Sequence, residues 1–195
     1  MKTTMAHPVA RLFALGLALL IAPAALAHDG EHPDAPNPSP NATVSQDVGY
    51  KNVTIEFGRP GVKGREGKIW GELVKFGEDP RPWSGGANGN AVITFAEDVK
   101  INGNDLPAGS YGLLIVAQEN TWTFVFSKNA KRLGIMSYSA DNDALRVEAP
   151  VEKANHQEWL AYEFEKTGEL TATVNLHWEN VKAGFTIEAP DHRKK

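Results

Sequence analysis

The sequence contains no cysteine. That absence excludes disulfides, thiol catalysis, thiolate metal sites and acylation of an N-terminal Cys. It also lacks an excess of positive charge: Lys and Arg total 20 against 24 Asp and Glu, for a formal net charge of −4. Broad nucleic-acid binding needs the opposite balance, so nucleic acid is not an expected partner. After one apolar run near the start, no second run is long enough to span a bilayer. The chain has no HExxH motif, EF-hand loop or GxGxxG fingerprint, and Ser110 and Ser127 lack the glycines of a nucleophile elbow. No internal repeat of 20–50 residues is evident.

The apolar run belongs to a leader. Lys2 and Arg11 make it basic, Leu12 to Ala22 form its apolar centre, and Ala25-Leu26-Ala27 is a small-x-small cleavage site. This pattern predicts a signal peptide over 1–27. The uncharged stretch from Leu12 to Ala27 is 16 residues and contains Pro23, too short for a retained membrane helix. Removal takes two positive charges and no acid with it, so the formal net charge falls from −4 to −6. The expected location is extracytoplasmic, periplasmic or secreted, with no membrane attachment after cleavage.

Residues 28–41, HDGEHPDAPNPSPN, form an acidic Pro-rich linker. From Ala42 the pattern changes to period two. Val53, Ile55 and Phe57 alternate with Thr54, Glu56 and Gly58. Trp122, Phe124 and Phe126 alternate with Thr121, Thr123 and Val125. Leu160, Tyr162 and Phe164 do the same, as do the even positions from Leu170 to Trp178. Alternation at 180° per residue is the signal of a half-buried strand. Leu113 to Val116 is apolar on both sides, which predicts a central strand covered on both faces. Turn signals at Asn102-Gly103-Asn104, Pro107-Ala108-Gly109, Glu119-Asn120 and Thr167-Gly168 separate the runs. The expected fold is all-β, an antiparallel β-sandwich or jelly-roll-like domain of about nine or ten strands over 42–188. A polar tail, 189–195, follows. The stretch 152–164 also has helical spacing between Leu160 and Phe164, but strand fits its neighbours better.

Four constellations could carry chemistry. If cleavage follows Ala27, His28 becomes the first residue, and its amine and imidazole could chelate copper or zinc with His32. Alternatively these are two histidines in a linker. Second, Arg59, Lys63, Arg65 and Lys68 lie within ten residues and are interleaved with Gly61, Gly64 and Gly67. They could bind a carboxylate, sulfate or phosphate, or could decorate a solvated hairpin loop. Third, Trp83 beside Gly85-Gly86-Ala87-Asn88-Gly89-Asn90 could stack on a sugar, with Trp70 and Trp159 joining it, or could cap the end of the sandwich. Fourth, pleat parity puts Asn175, His177 and Glu179 on one side of the last strand. There His177 and Glu179 could form an acid/base pair, or simply face solvent.

Several segments together resemble domain-of-unknown-function family 2911, a family of secreted bacterial proteins. They include Ser45 to Gly49, Ile55-Glu56-Phe57-Gly58-Arg59-Pro60-Gly61-Val62-Lys63-Gly64-Arg65, Ile69 to Val74, Gly86-Ala87-Asn88, Leu106 to Leu113, and Asn175 to Asn180. The resemblance covers roughly 42–187. It implies a signal peptide followed by one β-rich domain, and no particular activity. It departs at Trp83-Ser84-Gly85-Gly86-Ala87-Asn88, where family members have Trp-Arg-Thr-Gly-Ala-Asn. Either Arg81 substitutes for the missing Arg, or an anion site is weakened here.

The leading expectation is a non-enzymatic protein binding a small polar or anionic ligand or a glycan, with Arg59, Lys63, Arg65, Trp83 and Asn88 converging as the contact set. Three alternatives stand beside it: copper or zinc binding by His28 and His32, a hydrolase using Glu56, His177 or Glu179, and a structural envelope protein.

Overall fold

The computed structural model describes residues 36–77, 81–132 and 134–194. Ten strands follow in order: β1 (Asn41–Val48), β2 (Lys51–Gly58), β3 (Ala87–Phe95), β4 (Val99–Ile101), β5 (Asn104–Leu106), β6 (Gly109–Ala117), β7 (Thr121–Ser127), β8 (Asp143–Pro150), β9 (Glu152–Lys166) and β10 (Thr171–Glu188). They form two antiparallel sheets, one ordered β1-β2-β3-β6-β7-β8 and the other β5-β4-β10-β9. The fold is a β-sandwich. The alternation read in Val53, Ile55 and Phe57, and in Trp122, Phe124 and Phe126, marks the side chains buried between the sheets. Residues 152–164 are strand, not helix.

The chain leaves the six-stranded sheet after β3, makes the β4–β5 hairpin in the other sheet, and returns as β6 beside β3. The hairpin turns at Asn102 and Gly103, with φ of 47° and 80°. These left-handed values suit Asn and Gly and match the twist of paired strands. Strand β6 is covered on both faces, as its unbroken apolar run requires. One face meets the core. On the other, Leu114 and Val116 join Val125 of β7 beneath Ile135 and Tyr138. Those two residues come from a segment with two short 3₁₀ turns, Ile135–Ser137 and Ala140–Asn142.

The long strand β10 is bent. Two register shifts against β9 flank Glu179, whose φ is 59°. Beyond the bend Gly184 lies against Val174 and Asn175, so close that a Cβ there would stand 2.3 Å from the Val174 carbonyl oxygen. The buried phase switches with the bend: Ala172, Val174, Leu176 and Trp178 before it, Ala183, Phe185 and Ile187 after it. Strand β9 takes the longer path around the turn. It advances four residues from Gln157 to Ala161, and four again from Lys153 to Gln157, where β10 advances two. Extra residues of this kind are how paired strands change direction.

Candidate functional site

The basic segment is a corner that joins the two sheets. Arg59 continues the β1–β2 ladder by donating its N–H to the Pro40 carbonyl (2.8 Å). The chain then crosses to the edge of β9. Leu160 donates to Pro60 (3.0 Å), Gly61 bridges Trp159, and Val62 donates to Glu158 (2.8 Å). An edge strand exposes unpaired N–H and C=O groups, and this crossing covers part of the β9 edge. Pro60 offers only its carbonyl and fits a position whose N–H has no ladder partner to meet.

Three of the four cations of this corner are held by backbone carbonyls. Arg59 Nε donates to Leu160 O (2.8 Å), with Nη2 3.5 Å from Trp159 O. Arg65 closes its own loop through Nε to Val62 O (3.0 Å) and Nη2 to Gly61 O (2.6 Å). Lys63 stands in the left-handed region at φ 51°. Its N–H reaches Glu158 Oε1 (2.9 Å), its Nζ reaches Pro38 O (2.6 Å), and that Nζ lies 5.1 Å from the Trp159 ring centre. Glu158 Oε2 in turn lies 3.4 Å from His156 Nε2. Asn88, at φ 58°, donates to Ser39 O (2.6 Å) and to Asn41 Oδ1 (3.3 Å). Three successive carbonyls, of Pro38, Ser39 and Pro40, therefore accept from Lys63 Nζ, Asn88 Nδ2 and the Arg59 backbone N–H. Arg132 Nη2 reaches the same strip at Asn41 Oδ1 (3.4 Å), a neighbour that sequence spacing gave no means of finding.

Three of the five candidate ligand contacts thus meet along one strip, where they grip the chain's own backbone. Trp83 does not join them. It exchanges two backbone hydrogen bonds with Ile115 (2.7 and 2.8 Å), extending the β6 ladder beyond β3. Its ring stacks on Trp178 at 6.1 Å and 16° and meets Trp70 edge-on at 5.8 Å. Trp70 packs in turn on Trp122 at 4.4 Å. Trp159, which could have joined Trp83, lies instead under Lys63. Gly85, beside Trp83, has φ 66°, and a Cβ there would stand 2.6 Å from Leu113 O and 2.7 Å from Tyr162 Oη. The Tyr162 hydroxyl donates to Gly85 O (2.8 Å), and burial pushes its phenol well above the ordinary value. Arg81 directs Nη1 at Met136 Sδ (3.2 Å).

Glu179 corrects the parity reading. The bend turns it inward, where it is 5% exposed and accepts the Gly67 N–H of the basic corner. It does not share a side with His177. The indole N–H groups of Trp70 and Trp178, whose rings meet edge-on at 5.9 Å, have no acceptor among the described residues. His177 instead lines an open hollow of about 550 Å³ with Lys153, Ala154, Asn155, Glu163 and Lys182. Glu56 is exposed on β2, between the buried Ile55 and Phe57. Glu56, His177 and Glu179 are therefore separate, each in its own surroundings. A second cleft of about 510 Å³ lies between the β4–β5 hairpin and the end of β10, lined by Asp98, Asp105, Glu188 and Asp191 with Lys100 and Lys194.

His28 and His32 lie outside the described residues. Among the described residues no group of three or more His, Asp or Glu is placed to hold a metal ion, and no helix is long and apolar enough to cross a membrane. No curated protein and no solved structure matches the chain. A family model does: residues 39–187 match the one described as protein of unknown function (DUF2911), which spans both the corner and the bend, and the chain belongs to that family.

Proposed function

We propose that the protein is exported and binds, without catalysis, a small polar or anionic ligand or an acidic glycan at the basic corner, through Arg59, Lys63 and Arg65. The observation that carries this reading is the kind of partner these cations have. A guanidinium or ammonium held by neutral carbonyls has no opposite charge to offset its field, whereas one paired to a carboxylate does. None of the three forms an ion pair among the described residues, and Nη1 of both arginines has no acceptor there. Glu158 and Glu179, the carboxylates that bond this corner, meet the backbone N–H groups of Lys63 and Gly67. In a chain of net charge −4 this corner is a local positive field that an anion would seek.

A thermal-shift panel with sulfate, phosphate, citrate and sugar acids tests the reading. A ligand at about 100 times its Kd adds about 2.7 kcal/mol of stability. The expected result is a rise in Tm with at least one anion that is lost in Lys63→Gln. No rise with any of them, or an equal rise in the variant, would overturn it. A second reading is favoured by the grip of Lys63 and Asn88 on Pro38 and Ser39. On that reading the corner is a structural clamp that fixes where the linker enters the domain, as suits an envelope protein. Export itself is tested by N-terminal sequencing of protein recovered outside the cytoplasm. His28 as the first residue fits both leader removal and the copper or zinc reading, and any other first residue removes the chelate.

A further inference from the structure

The bend of β9 around β10 leaves slack, and that slack builds the hollow at His177. The Asn155 carbonyl accepts from His177 Nε2 at 2.9 Å. A carbonyl can only accept, so Nε2 carries the ring proton, and Nδ1 of the neutral ring is left as an acceptor. Lys153 and Lys182 line the same hollow, as does Glu163. Lys182 has one loose ion pair, to Glu152 at 3.5 Å, with both side chains partly exposed. Lys153 and Glu163 have no side-chain partner among the described residues. One concavity therefore presents two ammonium groups, one imidazole acceptor and one carboxylate, and little of this set is committed to holding the fold.

We infer that this hollow is a second ligand site, distinct from the basic corner, and that it takes a hydroxylated carboxylic acid of the sugar-acid class. The donors and the acceptors divide the work. The ammonium groups of Lys153 and Lys182 meet the carboxylate, and His177 Nδ1 and Glu163 accept from hydroxyl protons. A plain carboxylate offers no donor to the two acceptors, and a neutral sugar brings no opposite charge to the two cations. Both halves of the recognition must be present in one molecule.

The experiment is an NMR titration of the full chain, following the His177 ring Cε1–H signal, assigned by its loss in His177→Gln. D-glucuronate is the probe, with acetate and D-glucose as the two half-ligands. The expected result is a saturating shift with glucuronate and none with either half-ligand. In Lys153→Gln combined with Lys182→Gln the affinity falls about tenfold or more, the equivalent of one charged hydrogen bond. Lys153→Gln alone serves if the double variant does not fold. Lys63→Gln leaves the shift intact, so failure of the corner reading and failure of this one are separable. No shift with glucuronate, an equal shift with acetate, or an unchanged affinity in the lysine variants would overturn the inference.

Discussion

The basic corner and the hollow around His177 both gather cations on polar loops and bends, yet they stand in opposite relations to the fold. At the corner three of the four cationic side chains reach into the backbone: Arg59 to β9, Arg65 to its own loop, Lys63 to the segment before β1. At the hollow the lysines reach toward no backbone, and only His177 bonds a carbonyl. Charge clustering in a sequence does not separate these cases. What separates them is whether the donors complete the hydrogen bonds of a sheet edge, where each lost bond leaves a carbonyl without its partner.

The sharpest way to break the comparison is Arg65→Ala. It removes two bonds from a charged donor and leaves the Gly61 carbonyl to find another partner, while Val62 O keeps the backbone N–H of residue 65. The expected cost is about 2–3 kcal/mol. At about 2–4 °C per kcal/mol for a chain of this size, Tm falls by roughly 5–10 °C. A melt indistinguishable from that of the parent would show that the corner is a surface feature after all, and the contrast with the hollow would disappear.

Much of the fold was legible because period-two alternation is a local property. Val53-Ile55-Phe57 and Trp122-Phe124-Phe126 needed no partner to declare their buried side. The corner was not legible, because its meaning depends on pairing across about a hundred residues: Arg59 meets Leu160 at a separation of 101. Arg59 to Val62 therefore looked like loop, and its cations looked free. The failure at Glu179 is more instructive. Pleat parity puts Asn175, His177 and Glu179 on one side only while the strand runs straight, but the apolar phase changes between Trp178 and Val181, from even positions to odd. That switch was visible in the sequence, and it is the mark of a bend that turns a carboxylate inward. Trp83 illustrates a different limit. A Trp in a glycine-rich stretch suits a sugar platform and a packed plug equally, and only its stacking on Trp178 tells them apart.

A smaller effect tests how firmly the glycine-rich stretch is tied to β9 beside the corner. The Tyr162 hydroxyl is buried against Gly85 O, and its folded-state value lies above the ordinary one. Below about pH 10 the folded and unfolded chains both keep the phenol proton, so this group adds no pH dependence. Above it the unfolded chain releases the proton first, and stability falls as the pH rises. Tyr162→Phe should cost about 1 kcal/mol at neutral pH, and should flatten the alkaline fall in a urea-unfolding series taken against pH. An alkaline fall that is as steep in the variant would place its source elsewhere.

The smallest expected effect belongs to the hollow. Lys153→Gln removes a side chain with no partner among the described residues, on a stretch where β9 has residues to spare against β10. Its cost in urea unfolding should lie within about 0.5 kcal/mol of zero, as for surface positions away from caps, cavities and networks. The value of so small a number is its contrast with Arg65→Ala. If Lys153→Gln is as damaging as the corner variant, the hollow's cations are also part of the frame, and a ligand would have to compete with the fold for them. If it is silent in unfolding yet weakens glucuronate binding, the two regions differ in kind. One set of cations then holds the sandwich closed while it meets its ligand, and the other serves only a partner that the chain itself does not supply.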